Sequence, residues 1–348
     1  MEEAVSLSSY LQLWAEGDIR RDAIAQTVEC IAKACSHISA LISRAPLAGH
    51  LDAVHQTNTH GGARRELDLL ASELVIKNLR NAPVAVVVSE ELDLPLELKP
   101  DASLCIAIDP LDGSSDIDTN ISVGTLFSVL PYQGGDDGED WHHVLQAGFH
   151  QLAAGYAIYG PHTSLVLSVG EGTQIFTLSP ESREFLLTTL LVQIPKETRE
   201  LAINVSNFHH WDSPVRAYID DCLEGLAGDE KSNYNMRWGD SLVAECHRIL
   251  NSGGICLYPS DARCRHQNGR LRLLFEANPI GWIIEQAEGL ASTGRVRVLD
   301  VQPNDIHQRA PFVFGSRSEV KRLESYYRER PPLGDRPPLF NQRGLFRA

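Results

Sequence analysis

Two short apolar runs, each cut off by acid, constrain the fold of this chain more than any other feature. "PVAVVVSEELD" (Pro83–Asp93) holds an almost unbroken apolar stretch, Val84–Val88, followed by Glu90 and Glu91. "SLCIAIDPLDG" (Ser103–Gly113) repeats the design: Leu104–Ile108 ends on Asp109, the chain turns at Pro110, and Asp112 follows. Apolar runs of this length without alternation predict strands buried on both faces, so other layers must cover the sheet on each side. Both strands deliver carboxylates at their C-terminal ends, where layered α/β proteins commonly build their sites.

The periodicity around these strands changes. Ile24, Val28, Ile31, Ala32, Cys35, Ile38 and Leu41 recur at helical spacing and predict a helix over Asp22–Leu41; Leu67, Leu70, Leu74 and Val75 predict another over Arg64–Leu79. Strand-like pieces follow at Val123–Leu130, Gly155–Tyr159, Leu165–Val169, Gln174–Leu178 and Phe185–Thr188. A polar stretch, Gln193–Glu200, separates them from a differently patterned second half. There the pattern predicts strands at Leu201–Val205, Gly254–Tyr258, Leu271–Phe275, Val296–Leu299 and Pro311–Phe314, with helices at Pro214–Leu226, Ser241–Leu250 and Pro279–Glu288. The expected division is an N-terminal domain, 1–197, with helices on a mainly antiparallel sheet; a smaller α/β domain, 198–331; and a Pro-rich tail, 332–348, expected to be disordered.

A formal charge of −15 argues against nucleic acid or an anionic membrane as partner, since both require a surplus of Lys and Arg. No apolar run approaches the roughly 20 residues that span a bilayer, and the acidic start is unlike a signal or transit peptide, so a soluble, cytoplasmic protein is expected. The cysteine count of 7 is odd and includes no CxxC pair, which fits buried thiols in a reducing compartment.

Glu90, Glu91, Asp109 and Asp112 crowd together at two strand ends, and carboxylates at that density repel one another severely in a low-dielectric site. A lone Asp in such a turn is most simply a cap; the whole set calls for cations. Mg²⁺ takes carboxylate, carbonyl and water oxygens and often shares its shell with phosphate, whereas neither acidic segment offers the His or Cys that zinc favours. The fixed φ of Pro110 can aim the Leu111 carbonyl at the same ion. Gly113, Ser114 and Ser115 then offer N–H and hydroxyl donors suited to phosphate. Metal on one side of a turn and phosphate on the other points to phosphoryl transfer, while Asp116 and Asp118 read as structural turn residues.

The ordered series "SEE", "DPLDGSS", "VGTLFSV", "AAGYAIYG", "MRW", "HRIL", "GGICLYP", "LRLLFEANP" and "DIHQRAP", from about Gly17 to about Ser318, resembles class I fructose-1,6-bisphosphatase. "DPLDGSS" alone is shared with the wider Mg-dependent, lithium-sensitive sugar and inositol phosphatase superfamily. The resemblance implies an α/β fold of alternating helix and sheet layers in two domains. It implies Mg²⁺-dependent hydrolysis of D-fructose 1,6-bisphosphate to D-fructose 6-phosphate and phosphate, in gluconeogenesis or the Calvin cycle, by a homotetramer.

By the same resemblance, Glu90, Asp109, Asp112, Glu276 and the Leu111 carbonyl match the ligands of two or more Mg²⁺ ions per subunit, for which Mn²⁺ can substitute. Glu91 and Asp68 match the carboxylates that orient or deprotonate the attacking water. Asp112, Gly113, Ser114 and Ser115 match the cradle of the departing phosphate; Asn207, Tyr258 and Arg270 match the pocket of the retained one, with Arg237 reaching across an interface into the neighbouring subunit. Arg237 and Arg272 also admit a plain reading as solvated arginines.

Departures from the family pattern carry expectations too. Arg270 stands where Lys is usual, and Trp238 and His210 stand where tyrosines often contact the retained phosphate, so the sugar pocket differs in shape. Gly62 or Ala63 occupies the place of a loop acid. "AEGDIRRDAIAQTV" and "ASLCIAID" lack the pattern that binds AMP in regulated members, and the loop "PYQGGDDGEDWHHVLQAG" has no cysteine for thioredoxin switching. A dual fructose-1,6-/sedoheptulose-1,7-bisphosphatase, another lithium-sensitive phosphatase with a different substrate, and a non-catalytic sugar-phosphate-binding paralogue are the alternative readings.

Overall fold

The computed structural model describes residues 4–44, 61–134, 141–224, 234–261 and 269–329. The Pro-rich tail and Cys264 lie outside them, as do the surroundings of Gly62 and Ala63. Helix α1 (Leu7–Ala15) is capped by Ser6, and α2 (Ile19–Ile42) by Asp18, whose side chain accepts from the N–H groups of Arg20 and Arg21 at 2.8 and 3.1 Å. That cap starts α2 a turn earlier than the apolar spacing predicts. Helix α3 spans Gly61–Leu79.

An eight-stranded sheet follows, built from β1 (Val86–Ser89), β2 (Leu96–Glu97), β3 (Leu104–Asp112), β4 (Val123–Pro131), β5 (Ala153–Tyr159), β6 (Thr163–Ser168), β7 (Gln174–Leu178) and β8 (Phe185–Thr189). Its order is β2-β1-β3-β4-β5-β6-β7-β8, antiparallel except for the β1/β3 pair.

The second half adds β9 (Glu200–Ile203), α4 (Ser213–Glu224), β10 (Asn235–Met236), α5 (Leu242–Ser252), β11 (Ile255–Tyr258), β12 (Leu271–Arg272), α6 (Asn278–Gln286), β13 (Leu290–Ser292), β14 (Arg309–Ala310), β15 (Phe312–Gly315) and α7 (Arg317–Glu329). Five strands form a sheet in the order β10-β9-β11-β15-β13, and β12 pairs with β14. Two strand expectations are corrected here. Leu271–Phe275 keeps strand form only to Arg272 and then winds into a π turn, Leu273–Ala277, that leads into α6. Val296–Leu299 ends in a 3₁₀ turn, Val298–Asp300, while β13 takes the sheet edge.

Alternation along the strands builds five layers. Phe127, Val129 and Ala157 face α1, α2 and α3 on one side of the large sheet. Their neighbours Leu126, Tyr156 and Ile158 face α5 and α6, which rest in turn on Ala202, Cys256, Phe312 and Phe314 of the second sheet. The far face of that sheet, through Leu201, Ile203, Ile255 and Leu257, is covered by α4 and α7. Helix and sheet layers therefore alternate through the molecule, as the doubly buried strands require. No helix among the described residues is long and apolar enough to cross a membrane. Cys35, Cys105, Cys222, Cys246 and Cys256 are buried free thiols, and Cys30 is half-buried.

Candidate active site

The parallel pairing of β1 with β3 sets Ser89 opposite Ile108, so Glu90 and Asp109 leave adjacent strands side by side. Strand β3 does not stop at Ile108, contrary to the expectation of a sharp turn at Pro110. It runs on to Asp112 through a β-bulge: Asp109 opposes Leu126 and Asp112 opposes Gly124, leaving Pro110 and Leu111 against Thr125. A bulge tolerates proline because the ladder there lacks the N–H it cannot supply. Asp109 is 2% exposed, and its Oδ1 accepts the Leu111 N–H at 3.1 Å.

Glu276 arrives from the other half of the chain. The π turn that carries it packs on β3 and β4, with Leu274 and Phe275 against Val86, Val88, Cys105 and Ala107. Single π turns recur at functional sites because they re-aim one side chain. Burial, then the charges of Asp112 and Glu276, holds the Asp109 carboxyl well above the usual carboxylate range. Burial and Asp116 push Asp112 up; burial and Asp112 push Glu276 up, countered by the Arg272 N–H and by the charges of Arg272 and Arg309. The three carboxyl charges are thus felt by one another in a poorly solvated region.

Around this cluster, Glu90 forms an ion pair with Arg272, whose backbone N–H donates to Glu276 Oε2 at 2.5 Å. Partial burial and the nearby charge of Asp68, on α3, raise the Glu91 carboxyl. Arg272 is a site residue that the sequence reading left undecided.

Gly113 adopts φ +77°, a left-handed conformation open to glycine, and starts the 3₁₀ turn Ser114–Thr119. Ser114 is buried and Ser115 exposed. Asp116 is a turn residue, its N–H donating to the Gly113 carbonyl at 2.8 Å, but its charge also reaches Asp112. Asp118 is exposed.

Across from the cradle, Asn207, Trp211, Trp238, Tyr258, Asp261 and Arg270 line a narrow cleft. The Trp238 and Tyr258 rings lie 5.3 Å apart, and the charge of Asp112 is felt at the Tyr258 hydroxyl, which ties the cleft to the cradle. Arg237 is not among the lining residues; it projects 55% exposed and pairs with Glu200 at 3.1 Å.

Among the described residues no three His, Cys, Asp or Glu side chains are gathered closely enough to hold one ion, and Glu90 is turned to Arg272. The donor chemistry nevertheless fits a hard divalent cation: every candidate donor is an oxygen, and Asp109 and Glu276 are buried in mutual repulsion that a dication would relieve.

Family models described as fructose-1-6-bisphosphatase, N-terminal domain and C-terminal domain match residues 13–190 and 194–328. The chain is 48% identical over 342 residues to a class 1 fructose-1,6-bisphosphatase of Xanthobacter autotrophicus, covering 98% of this chain and 92% of that one. It is 47% identical over 345 residues to one of Rhizobium meliloti, covering 99% of each. Its structure superposes on the crystal structure of the Leishmania major fructose-1,6-bisphosphatase in holo form with a TM-score of 0.84 and 32% identity, covering 94% of this chain and 100% of that one.

Proposed function

The chain belongs to the class 1 fructose-1,6-bisphosphatase family and hydrolyses fructose 1,6-bisphosphate to fructose 6-phosphate and phosphate; from that premise we propose how its residues divide the work. It is a phosphatase of carbohydrate metabolism, and its family generally uses divalent metal ions. We read the metal as Mg²⁺, two or more per subunit, held by Glu90, Asp109, Asp112, Glu276 and the Leu111 carbonyl. The observation that carries this reading is the burial of repelling carboxyl groups from both halves of the chain beside a glycine-opened phosphate turn.

When bound, such ions would supply Lewis-acid stabilisation of phosphoryl charge and a more acidic water. Asp112, Gly113, Ser114 and Ser115 cradle the departing phosphate. Glu91, with Asp68 beside it, orients the attacking water and accepts its proton. Asn207, Tyr258 and Arg270 hold the retained phosphate, Arg270 through its planar fork. Arg237, which does not line its own cleft, serves the neighbouring subunit of a homotetramer. The division falls near residue 197: the first segment supplies the metal-bearing strand ends, and the second closes the site with Glu276 and binds the sugar. We place the enzyme in the cytoplasm, in gluconeogenesis or the Calvin cycle. The Trp238–Tyr258 pair and Arg270 give the sugar pocket its own shape, and sedoheptulose 1,7-bisphosphate is the alternative substrate to assay beside fructose 1,6-bisphosphate.

The test is phosphate release from fructose 1,6-bisphosphate, sedoheptulose 1,7-bisphosphate and inositol 1-phosphate, with and without Mg²⁺, on the wild type and Asp112→Asn. Mg²⁺-dependent turnover of the bisphosphates that Asp112→Asn removes is expected. Turnover that persists after chelation, or dominant activity on inositol 1-phosphate, sinks the assignment.

A further inference from the structure

The bulge in β3 leaves a bonding problem beneath the cradle. Pro110 and Leu111 face Thr125 alone, so the Pro110 carbonyl sits where the ladder register breaks, in a fully buried place. A buried carbonyl left without a partner is destabilising. Here Thr125 Oγ1 donates to it at 2.8 Å, and the Tyr159 hydroxyl lies 2.7 Å from the same Oγ1. The Cys35 thiol of α2 lies within hydrogen-bonding reach of both Tyr159 and Thr125.

The direction of the row follows from proton counting. A carbonyl only accepts, so Thr125 spends its single proton on Pro110. Thr125 must then accept from Tyr159. Thr125 and Cys35 are fully buried and Tyr159 nearly so. Burial keeps the row neutral: it pushes the Cys35 thiol up to about 11 and the Tyr159 phenol well above its ordinary value. No charge therefore complicates the bonding.

The consequence lies in the backbone. The ring of Pro110 locks its φ, so ψ is the one soft dihedral left to that residue, and the direction of its carbonyl fixes ψ. Pinning that carbonyl sets the plane of the next peptide, which carries the Leu111 N–H bonded to Asp109 and precedes the Leu111 carbonyl and Asp112. We propose that Thr125, held by Tyr159, is a positioning residue that fixes the bulge so that Asp109, the Leu111 carbonyl and Asp112 are presented together to the metal. This rests on the metal reading given above.

The experiment uses the full chain and Mn²⁺ alone as probe. Metal-free wild type, Thr125→Val, Thr125→Ser, Tyr159→Phe and Asp112→Asn are titrated with Mn²⁺ by calorimetry without substrate, and their melting temperatures, kcat and KM are recorded. Thr125→Val keeps the shape and removes the donor; it should weaken Mn²⁺ binding about tenfold, equivalent to one hydrogen bond of about 1.4 kcal/mol. Its kcat should fall while KM for fructose 1,6-bisphosphate stays within about threefold, since the retained-phosphate pocket is untouched. Thr125→Ser, which restores the hydroxyl, should recover Mn²⁺ binding. Tyr159→Phe removes only the outer link and should weaken Mn²⁺ binding less than Thr125→Val; it decides the matter if Thr125→Val does not fold.

Wild-type Mn²⁺ binding in Thr125→Val or, should that fail to fold, in Tyr159→Phe overturns the positioning role, as does a Thr125→Ser as defective as Thr125→Val. A lowered melting temperature with unchanged Mn²⁺ binding marks a merely structural role and also overturns it. Asp112→Asn separates the premise: if it binds Mn²⁺ as the wild type does, the metal assignment itself falls and the positioning role with it. If it loses Mn²⁺ while Thr125→Val does not, only the positioning role falls.

Discussion

Arg272 reaches from the second half of the chain to pair its guanidinium with Glu90 at the end of β1. Its backbone N–H meanwhile donates to Glu276, so one residue offsets charge on two of the proposed ligands. A metal ion and this guanidinium would compete for Glu90. Arg272→Leu should therefore lower the stability of chelated protein by about 1.5–3 kcal/mol, the range for hydrogen bonds to charged groups. The gain in melting temperature on adding Mg²⁺ should be larger than in the wild type, where saturation at about 100 Kd is worth about 2.7 kcal/mol. Calorimetric scans with and without chelator check both, and an equal Mg²⁺ gain in the two proteins counts against the competition.

Gly113 separates strain from steric exclusion. An added Cβ would meet Val123 at an ordinary 3.6 Å, so Gly113→Ala suffers from φ +77° rather than from a clash. The left-handed conformation costs about 1–2 kcal/mol for a residue with a Cβ. Relief of that strain would rotate the N–H groups of the proposed cradle. kcat/KM should fall by more than the factor of roughly 5–30 that 1–2 kcal/mol represents, against a small drop in melting temperature.

The exposed pair of Arg237 with Glu200 adds little stability, since such pairs are worth about 0–1 kcal/mol. If Arg237 serves a neighbour's retained-phosphate pocket, Arg237→Ala should raise KM about tenfold or more, leave the melting temperature nearly unchanged, and leave kcat within a few-fold. Sedimentation of the variant distinguishes a lost contact from a lost assembly. An unchanged KM in an intact oligomer removes Arg237 from the site.

What could be read in advance follows from how each residue announces itself. β1 and β3 are legible because burial on both faces demands a continuous apolar run, and their acids stand at its edge. Glu276 carries no such mark. It sits inside "LLFEANP", where the apolar run reads as a strand, and only the π turn at Leu273–Ala277 swings it to Asp109. Its place comes from the family resemblance alone. Thr125 and Tyr159 are hidden for a related reason: they lie in fully buried strands with no polar periodicity, and their importance depends on a register shift in a neighbouring strand. Helix α1 escapes notice because an acidic lead masks a short amphipathic stretch that Ser6 caps.

Asp18 gives a pH signature away from the active site. The N–H groups of Arg21 and Arg20 hold its carboxyl below the usual carboxylate range. A depressed folded value means that the cap stabilises α2 above the unfolded pKa of about 3.9 and loses that effect as pH falls through the folded value. The melting-temperature gap between wild type and Asp18→Ala should be open at pH 7 and shrink toward pH 3. Asp18→Asn keeps a capping oxygen without a charge, so its own gap should vary little across that range. Turnover at pH 7 should be unaffected by Asn.

Glu91 and Asp68 give the sharpest test of the proposed chemistry. Burial, with the charge of Asp68, raises the Glu91 carboxyl, which makes it a readier proton acceptor than an ordinary carboxylate. A positioned base contributes about 10²–10⁴ in rate. Glu91→Gln should lower kcat by that order while KM and Mn²⁺ binding change by no more than a few-fold, because its amide can still hold the water but cannot take its proton. Asp68→Asn should cost less, since it withdraws a neighbour rather than the acceptor. Because the two act on one proton, the double variant should be little worse than Glu91→Gln alone. Additive losses would show that Asp68 acts separately, and a Glu91→Gln enzyme with near-wild-type kcat would place the base elsewhere.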